Sequence, residues 1–217
     1  ILHRAGATAS LGKVEDGTST LNFLPEERTG HHTASVTSHV YAFDSDGYHL
    51  TLVDTPGDPN YCGDGEVALQ ALDGAVLVVD AVEGVKSGTQ RMLGDAQSLE
   101  LAVICFINGL DRERADVDAT LASLESLDVK PVLLAMPIGN EASLSGVVDL
   151  VHMKAVSADG KESEIPADLK EEAETRREQL VESVAECDDA LIERYLEEGE
   201  LRDAEVLSGL ASGIRSR

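Results

Sequence analysis

Residues Leu50-Thr51-Leu52-Val53-Asp54-Thr55-Pro56-Gly57 constrain the fold more than any other stretch, because an apolar strand runs straight into an acid and a Pro-Gly turn. A buried strand of this kind presents its last carboxylate at the carboxyl edge of an open α/β sheet, where ligands bind. With Asp54 placed to hold Mg2+ and the Gly57 N–H free to meet a terminal phosphate, the arrangement suits a nucleoside triphosphatase.

The surrounding pattern supports such a sheet. Val36 to Phe43 and His49 to Val53 read as two strands joined by Asp44-Ser45-Asp46-Gly47, whose Asp-Gly is a hairpin signal. Ala75 to Val79 and Ala102 to Ile107 are short, nearly continuous apolar runs, the mark of strands buried on both faces. Lys86 to Leu99 and Asp116 to Leu127 read as helices, and Pro131 to Met136 as a further strand. Strand and helix alternate, so the expected architecture is α/β, with a doubly wound, mostly parallel sheet. Residues 1–36 read as a short helical start followed by loop. After Pro137 the character changes: Gly146–Val151 and Lys154–Val156 resemble a small strand pair, and Pro166 begins a long acidic helical stretch. There Leu180, Val181, Val184, Leu191, Ile192, Tyr195 and Leu196 recur at helical spacing, giving one apolar face.

Forty-one acidic against seventeen basic residues leave a formal charge of -24, which disfavours DNA or other non-specific nucleic-acid binding over the whole surface. A local basic patch or a basic partner is compatible with that balance. No run of about 18 apolar residues suggests a membrane span, and no leader pattern suggests export. Cys62, Cys105 and Cys187 form no Cys-x-x-Cys pair; Cys105 lies in an apolar strand as a packing residue, and a reduced, cytoplasmic setting fits the set. Beginning at Ile1 and ending at Arg217 without terminal signals, the chain reads as a piece of a longer polypeptide.

Two further loops carry candidate chemistry. Glu26-Glu27-Arg28-Thr29-Gly30-His31-His32-Thr33 is a polar loop entering a strand, and the Thr33 hydroxyl is a second candidate Mg2+ ligand. The adjacent His31 and His32 have no third ligand at suitable spacing, so a transition-metal site is not expected. Asn108-Gly109-Leu110-Asp111 follows directly on the strand 102–107. An amide and a carboxylate so placed can read guanine, Asn108 towards N7 and Asp111 accepting from N1 and N2. A buried carboxylate would reject bases that lack those donors.

In this order, the polar loop, Asp54-Thr55-Pro56-Gly57 and Asn108-Gly109-Leu110-Asp111 resemble a translational GTPase. Pro137-Ile138-Gly139, Gly146-Val147-Val148-Asp149-Leu150 and Ile165-Pro166-Ala167-Asp168 narrow the resemblance to the inserted subdomain of the elongation factor G family. Gly12-Lys13-Val14-Glu15-Asp16-Gly17-Thr18 is similar to that family's stretch after its first helix. The resemblance implies a GTP-binding domain over residues 1–137 and an inserted α+β subdomain over 138–217, with GTP and Mg2+ as ligands. It implies Mg2+ contacts from Thr33 and, through water, Asp54; a γ-phosphate contact from Gly57 in the loop with Thr55 and Pro56; and guanine contacts from Asn108 and Asp111. The implied partner is the ribosome, its rRNA and stalk proteins, with the acidic stretch 167–198 as a candidate surface.

The departures from the family pattern matter as much. Its phosphate loop, first strand and last guanine-contacting loop have no counterpart, so the isolated chain is expected to fold poorly and bind little GTP. Asp58 stands at the catalytic histidine's position, Gly109 at that of a lysine stacking on the base, and Gly30-His31-His32-Thr33-Ala34 replaces Arg-Gly-Ile-Thr-Ile. A carboxylate beside a triphosphate adds charge of the wrong sign, so hydrolysis is expected to slow. Three readings follow: a GTPase acting at a ribosomal step, a non-catalytic or slow nucleotide-gated ribosome binder, and a decayed gene product.

Overall fold

The computed structural model describes residues 1–13, 16–22, 24–29, 37–45 and 47–215. It divides into two compact units, residues 1–75 with 94–101, and residues 76–93 with 102–217.

In the first unit, a five-residue helix α1 (Pro25–Thr29) stands in a stretch expected to be loop, with Glu26 and Glu27 in its first turn. Strands β1 (His39–Ser45) and β2 (Tyr48–Asp54) form the expected antiparallel hairpin, in a register that sets His39 opposite Asp54. Gly47 occupies the turn at φ 83°, a left-handed conformation that glycine adopts without penalty. A 3-10 turn (Pro59–Tyr61) and helix α2 (Cys62–Leu69) follow. Leu2, Phe43 and Leu69 are the unit's buried large apolar side chains among the described residues.

Strands β3 (Gly74–Asp80) and β4 (Ala102–Asn108), most of whose residues fall in the second unit, pair with each other; helix α3 (Ser87–Ser98) lies between them in sequence, its first half in the second unit and its residues 94–98 in the first. The Ala81 N–H donates to the Asn108 carbonyl at 2.8 Å, so both strands end at the same edge and run parallel. Helix α4 (Val117–Glu125) is capped by Asp116, whose carboxylate accepts from the Ala119 N–H at 2.9 Å. The expectation that β3 and β4 are buried on both faces is corrected: Val79 is buried, but Val76, Val78, Ile104 and Phe106 are each more than half exposed. Cys105, expected to be packed, is also exposed. The apolar runs are those of strands made for two-sided cover; β3 has it on one side, and the middle of β4, Ile104 to Phe106, is exposed on both.

The strand expected at 131–136 forms instead at β5 (Ala135–Ile138) and belongs to a second, antiparallel sheet with β6 (Gly146–Asp149), β7 (Lys154–Ser157) and β8 (Glu162–Ser163). Pro137 has no N–H to give a ladder and is accommodated because β5 is an edge strand. The acidic stretch is two helices, α5 (Lys170–Ala185) and α6 (Asp189–Glu198), not one. Asp188 interrupts it, its carboxylate accepting from the Ala190 N–H at 2.9 Å as the cap of α6. Helix α7 (Asp203–Arg215), unforeseen from the sequence, completes the layer.

Met136, Val148, Leu150, Leu180, Val184 and Val206 form the centre of one continuous core between this sheet and its helices. Burying a leucine such as Leu150 or Leu180 contributes roughly 1.5–3 kcal/mol. Leu180, Val181 and Val184 lie inside as the spacing predicts, whereas Leu196 is largely exposed. Arg177 fastens the layers, donating to the carbonyls of Leu150 at 2.8 Å and Val151 at 2.6 Å and to Asp203 Oδ1 at 3.1 Å. Among the described residues no helix is long and apolar enough to cross a membrane.

Candidate functional site

Asp54 is the last residue of β2, where the strand pattern places it. Its carboxyl is half-buried, and burial raises its pKa above the ordinary carboxylate range; His39 opposes that shift and Glu27 adds to it. His39 and Glu27 are themselves almost completely buried and joined Nε2 to Oε1 at 2.6 Å. The other Glu27 oxygen accepts from the Leu24 N–H at 3.2 Å, at the start of α1. Nothing in the sequence marks this pair, since a histidine and a glutamate twelve residues apart follow no strand or helix period.

After Asp54 the chain passes through Thr55, buried Pro56 and exposed Gly57. Asp58 does not reach outward. Its Oδ1 accepts from both the backbone N–H and the side-chain amide of Asn60, each at 2.8 Å, capping the 3-10 turn. The Asp58 side chain is thus committed to its own turn. Thr33, with His31 and His32, lies outside the described residues. Among the described residues, no group of three or more His, Cys, Asp or Glu side chains is set to hold a metal ion.

In the second unit Asn108 ends β4, and Asp111 lies in the turn that follows. The expected burial of the Asp111 carboxylate is not found: Asn108 and Asp111 are both exposed. The loop backbone is nonetheless well held. The Arg112 N–H donates to the Gly109 carbonyl at 3.1 Å, the Glu141 N–H to the Leu110 carbonyl at 3.0 Å, and the Arg114 N–H to the Glu141 carboxylate at 2.7 Å.

Gly109 sits at φ 78°, and a Cβ there would stand 3.2 Å from Cδ of Arg112. The Arg112 side chain therefore lies against Gly109, and its guanidinium pairs with Asp80 at the end of β3. The Asp80 carboxylate also accepts from the Val82 N–H at 2.9 Å and the Glu83 N–H at 3.1 Å; these bonds, with Arg112, hold its pKa below the usual range. Asp80 and Arg112 escaped sequence reasoning, although an acid closing an apolar strand is the signal that singled out Asp54.

The model for the elongation factor Tu GTP binding domain matches residues 1–212. The chain is 37% identical over 213 residues to elongation factor G of Thermotoga neapolitana, and 35% identical to that of Thermotoga maritima. Each match covers 95% of this chain and 30% of the relative, so the chain spans about a third of the length of these curated relatives. A crystal structure of a Thermus thermophilus protein is similar over 99% of this chain and 32% of its own, with a TM-score of 0.88 and 29% identity.

Proposed function

The chain belongs to the family of the elongation factor Tu GTP-binding domain, and we propose on that premise that it binds GTP with Mg2+ as part of an elongation-factor-G-like translational GTPase working on the cytoplasmic ribosome. Residues 1–137 are the GTP-binding part, and 138–217 the inserted subdomain, with the acidic helices α5 and α6 as a surface for stalk proteins. The observation that carries the reading is the position of the two motifs: Asp54 closes β2 of the antiparallel hairpin and Asn108 closes β4 of the parallel pair, each at a strand's carboxyl end, where ligand-binding residues of α/β proteins lie.

The donor chemistry fits the metal. Asp54 is a partly buried carboxyl that burial makes reluctant to ionise, and no ion pair holds it among the described residues. A hydrated Mg2+ would supply the missing positive charge and neutralise the triphosphate. Asp54 would hold that ion through water, Thr33 would add its hydroxyl, and the Gly57 N–H would meet the γ-phosphate. Asn108 and Asp111 would select guanine. Loss of the γ-phosphate would release the loops around Thr33 and Gly57, and with them the ribosome-bound state.

A second reading is favoured by Asp58. Its carboxylate is engaged by Asn60 and has the wrong charge to orient an attacking water, so GTP would hold an on state with slow or no hydrolysis.

Competition between a fluorescent guanine nucleotide and GTP, XTP or ATP, in Mg2+ and in EDTA, on the full-length protein that contains this chain, tests the binding reading. Asp111→Asn should shift preference from guanine towards xanthine, because the amide offers a donor to the xanthine 2-oxygen in place of an acceptor. Equal affinity for all bases in the parent protein would defeat the proposal. Single-turnover hydrolysis with and without ribosomes separates the two readings, and Asp58→His should raise the rate under the first.

A further inference from the structure

The connection between β5 and β6 is tied closely to itself. Gly139 stands at φ 80°, where a Cβ would collide with the Ser143 carbonyl. The Ser143 hydroxyl accepts from the Asn140 N–H at 3.0 Å and donates to the Asn140 carbonyl at 2.6 Å. The Leu144 N–H donates to the Glu141 carbonyl at 3.1 Å. Within this turn Glu141 takes φ 48°, a left-handed backbone that a residue other than glycine keeps only where its surroundings over-determine it.

What holds Glu141 there is the loop that follows β4. Its N–H donates to the Leu110 carbonyl at 3.0 Å, and its carboxylate accepts from the Arg114 N–H at 2.7 Å. Arg114 is left-handed as well, at φ 66°. The two bonds fall on either side of Asp111. The Leu110 carbonyl belongs to the peptide that leads into Asp111, and Arg114 follows three residues later. One residue of the β5–β6 turn therefore brackets the exposed acid assigned to the base. Arg112, between the two bonds, pairs with Asp80 and anchors the same segment to the end of β3. All of these residues belong to the second unit. An exposed loop could leave its N–H and carbonyl groups to water; here two residues bear left-handed strain to make these bonds instead.

We propose that Glu141 is a positioning residue for base recognition, holding the Leu110–Arg114 segment so that the Asp111 carboxylate meets both N1 and N2 of guanine. The proposal rests on the guanine-nucleotide reading above. It deepens that reading by giving a residue of the β5–β6 turn a part in nucleotide selection. A carboxylate that accepts from two donors is sensitive to its angle, and a small backbone shift that preserves one bond loses the other. Glu141 should therefore govern the preference for guanine over hypoxanthine, which keeps the N1–H and lacks the 2-amino group.

The test compares the full-length protein that contains this chain with its Glu141→Gly and Glu141→Gln variants. Glycine takes the left-handed backbone without strain and removes the carboxylate, whereas glutamine keeps an acceptor of the same reach. Hydrogen exchange at the Arg114 amide, measured without nucleotide, reads the contact: it should quicken in Glu141→Gly and stay slow in Glu141→Gln. Affinities for GDP and inosine diphosphate, both in Mg2+, read the consequence. Glu141→Gly should lower the preference for GDP about tenfold, the contribution of one hydrogen bond to a charged group, and Glu141→Gln should recover most of it. A merely structural role would weaken both nucleotides alike. An unchanged ratio, unchanged exchange, or a loss in Glu141→Gln as deep as in Glu141→Gly overturns the proposal while leaving the binding reading intact. A parent protein that binds neither nucleotide, or both equally, defeats the guanine reading, and this proposal falls with it. If Glu141→Gly does not fold, Glu141→Asn, tolerant of the left-handed region and a methylene shorter, takes its place, and the same ratio decides.

Discussion

Replacing Gly109 by alanine should destabilise the second unit in two distinguishable ways. The backbone cost comes first: at φ 78° a Cβ is crowded by its own carbonyl, about 1–2 kcal/mol for an L-residue. The added methyl would also stand 3.2 Å from Arg112 Cδ, closer than ordinary van der Waals contact, so the arginine must give by a few tenths of an ångström, which strains its pairing with Asp80. Gly199, the left-handed residue after α6, has φ 76° and no atom within 4 Å of a Cβ, so Gly199→Ala carries the backbone cost alone in the same unit. Urea unfolding followed by circular dichroism should lower the midpoint by roughly 0.5–1 M for Gly199→Ala, taking a slope of about 2 kcal/mol per M. Gly109→Ala should lower it further. Equal shifts would refute the crowding by Arg112, and an unchanged or raised midpoint in either variant would refute the conformational argument altogether.

Gly209 on α7 is packed so closely that a Cβ would come within 2.3 Å of Val184 Cγ1 and 2.7 Å of Leu191 Cδ1. Gly209→Ala should cost about 1–3 kcal/mol by overpacking, despite alanine's better helix propensity, and a raised melting temperature would refute it. Glu205 has its pKa lowered to about 2 by the Arg202 side chain first, then the Arg202 N–H and the nearby Arg194. A carboxyl depressed on folding stabilises above its unfolded value near 4.5 and loses that contribution as pH falls towards 2. The stability difference between the parent protein and Glu205→Gln should therefore be constant above about pH 5 and shrink below it, and a difference independent of pH from about 6 to 2.5 would contradict the pairing.

What the sequence made legible follows from how local each signal is. The hairpin of β1 and β2 was readable because Asp46-Gly47 and the flanking alternation agree within a dozen residues. β3, α3 and β4 were readable because a continuous apolar run, a periodic helix and another run leave little alternative. The strand β5 was placed too early, because Pro131 to Ile138 is apolar throughout and only pairing with Gly146–Asp149 selects which four residues extend. The break between α5 and α6 was signalled by Cys187-Asp188-Asp189, where a capping acid interrupts an apolar stripe, but the stripe masked it. In the candidate site, Asp54 and Asn108 were legible as the ends of apolar strands. Glu27, His39 and Glu141 were not, since each depends on a partner at least twelve residues away in sequence.

Asp54 and Asp58, four positions apart, show why residue type alone cannot settle the chemistry of this loop. Asp54 ends a strand, is half-buried and lies opposite a histidine already engaged by Glu27, so its carboxyl resists ionisation without a cation. Asp58 is supplied with two donors by Asn60 and needs no external partner. A cation arriving at this loop would relieve the first, whereas the second is already supplied with donors. Substituting histidine at position 58 would both change the charge and free the turn that connects Gly57 to α2, so an Asn60→Ala control is required beside it. If Asn60→Ala alone altered nucleotide turnover as much as Asp58→His, the capped turn and not the charge at position 58 would govern the loop.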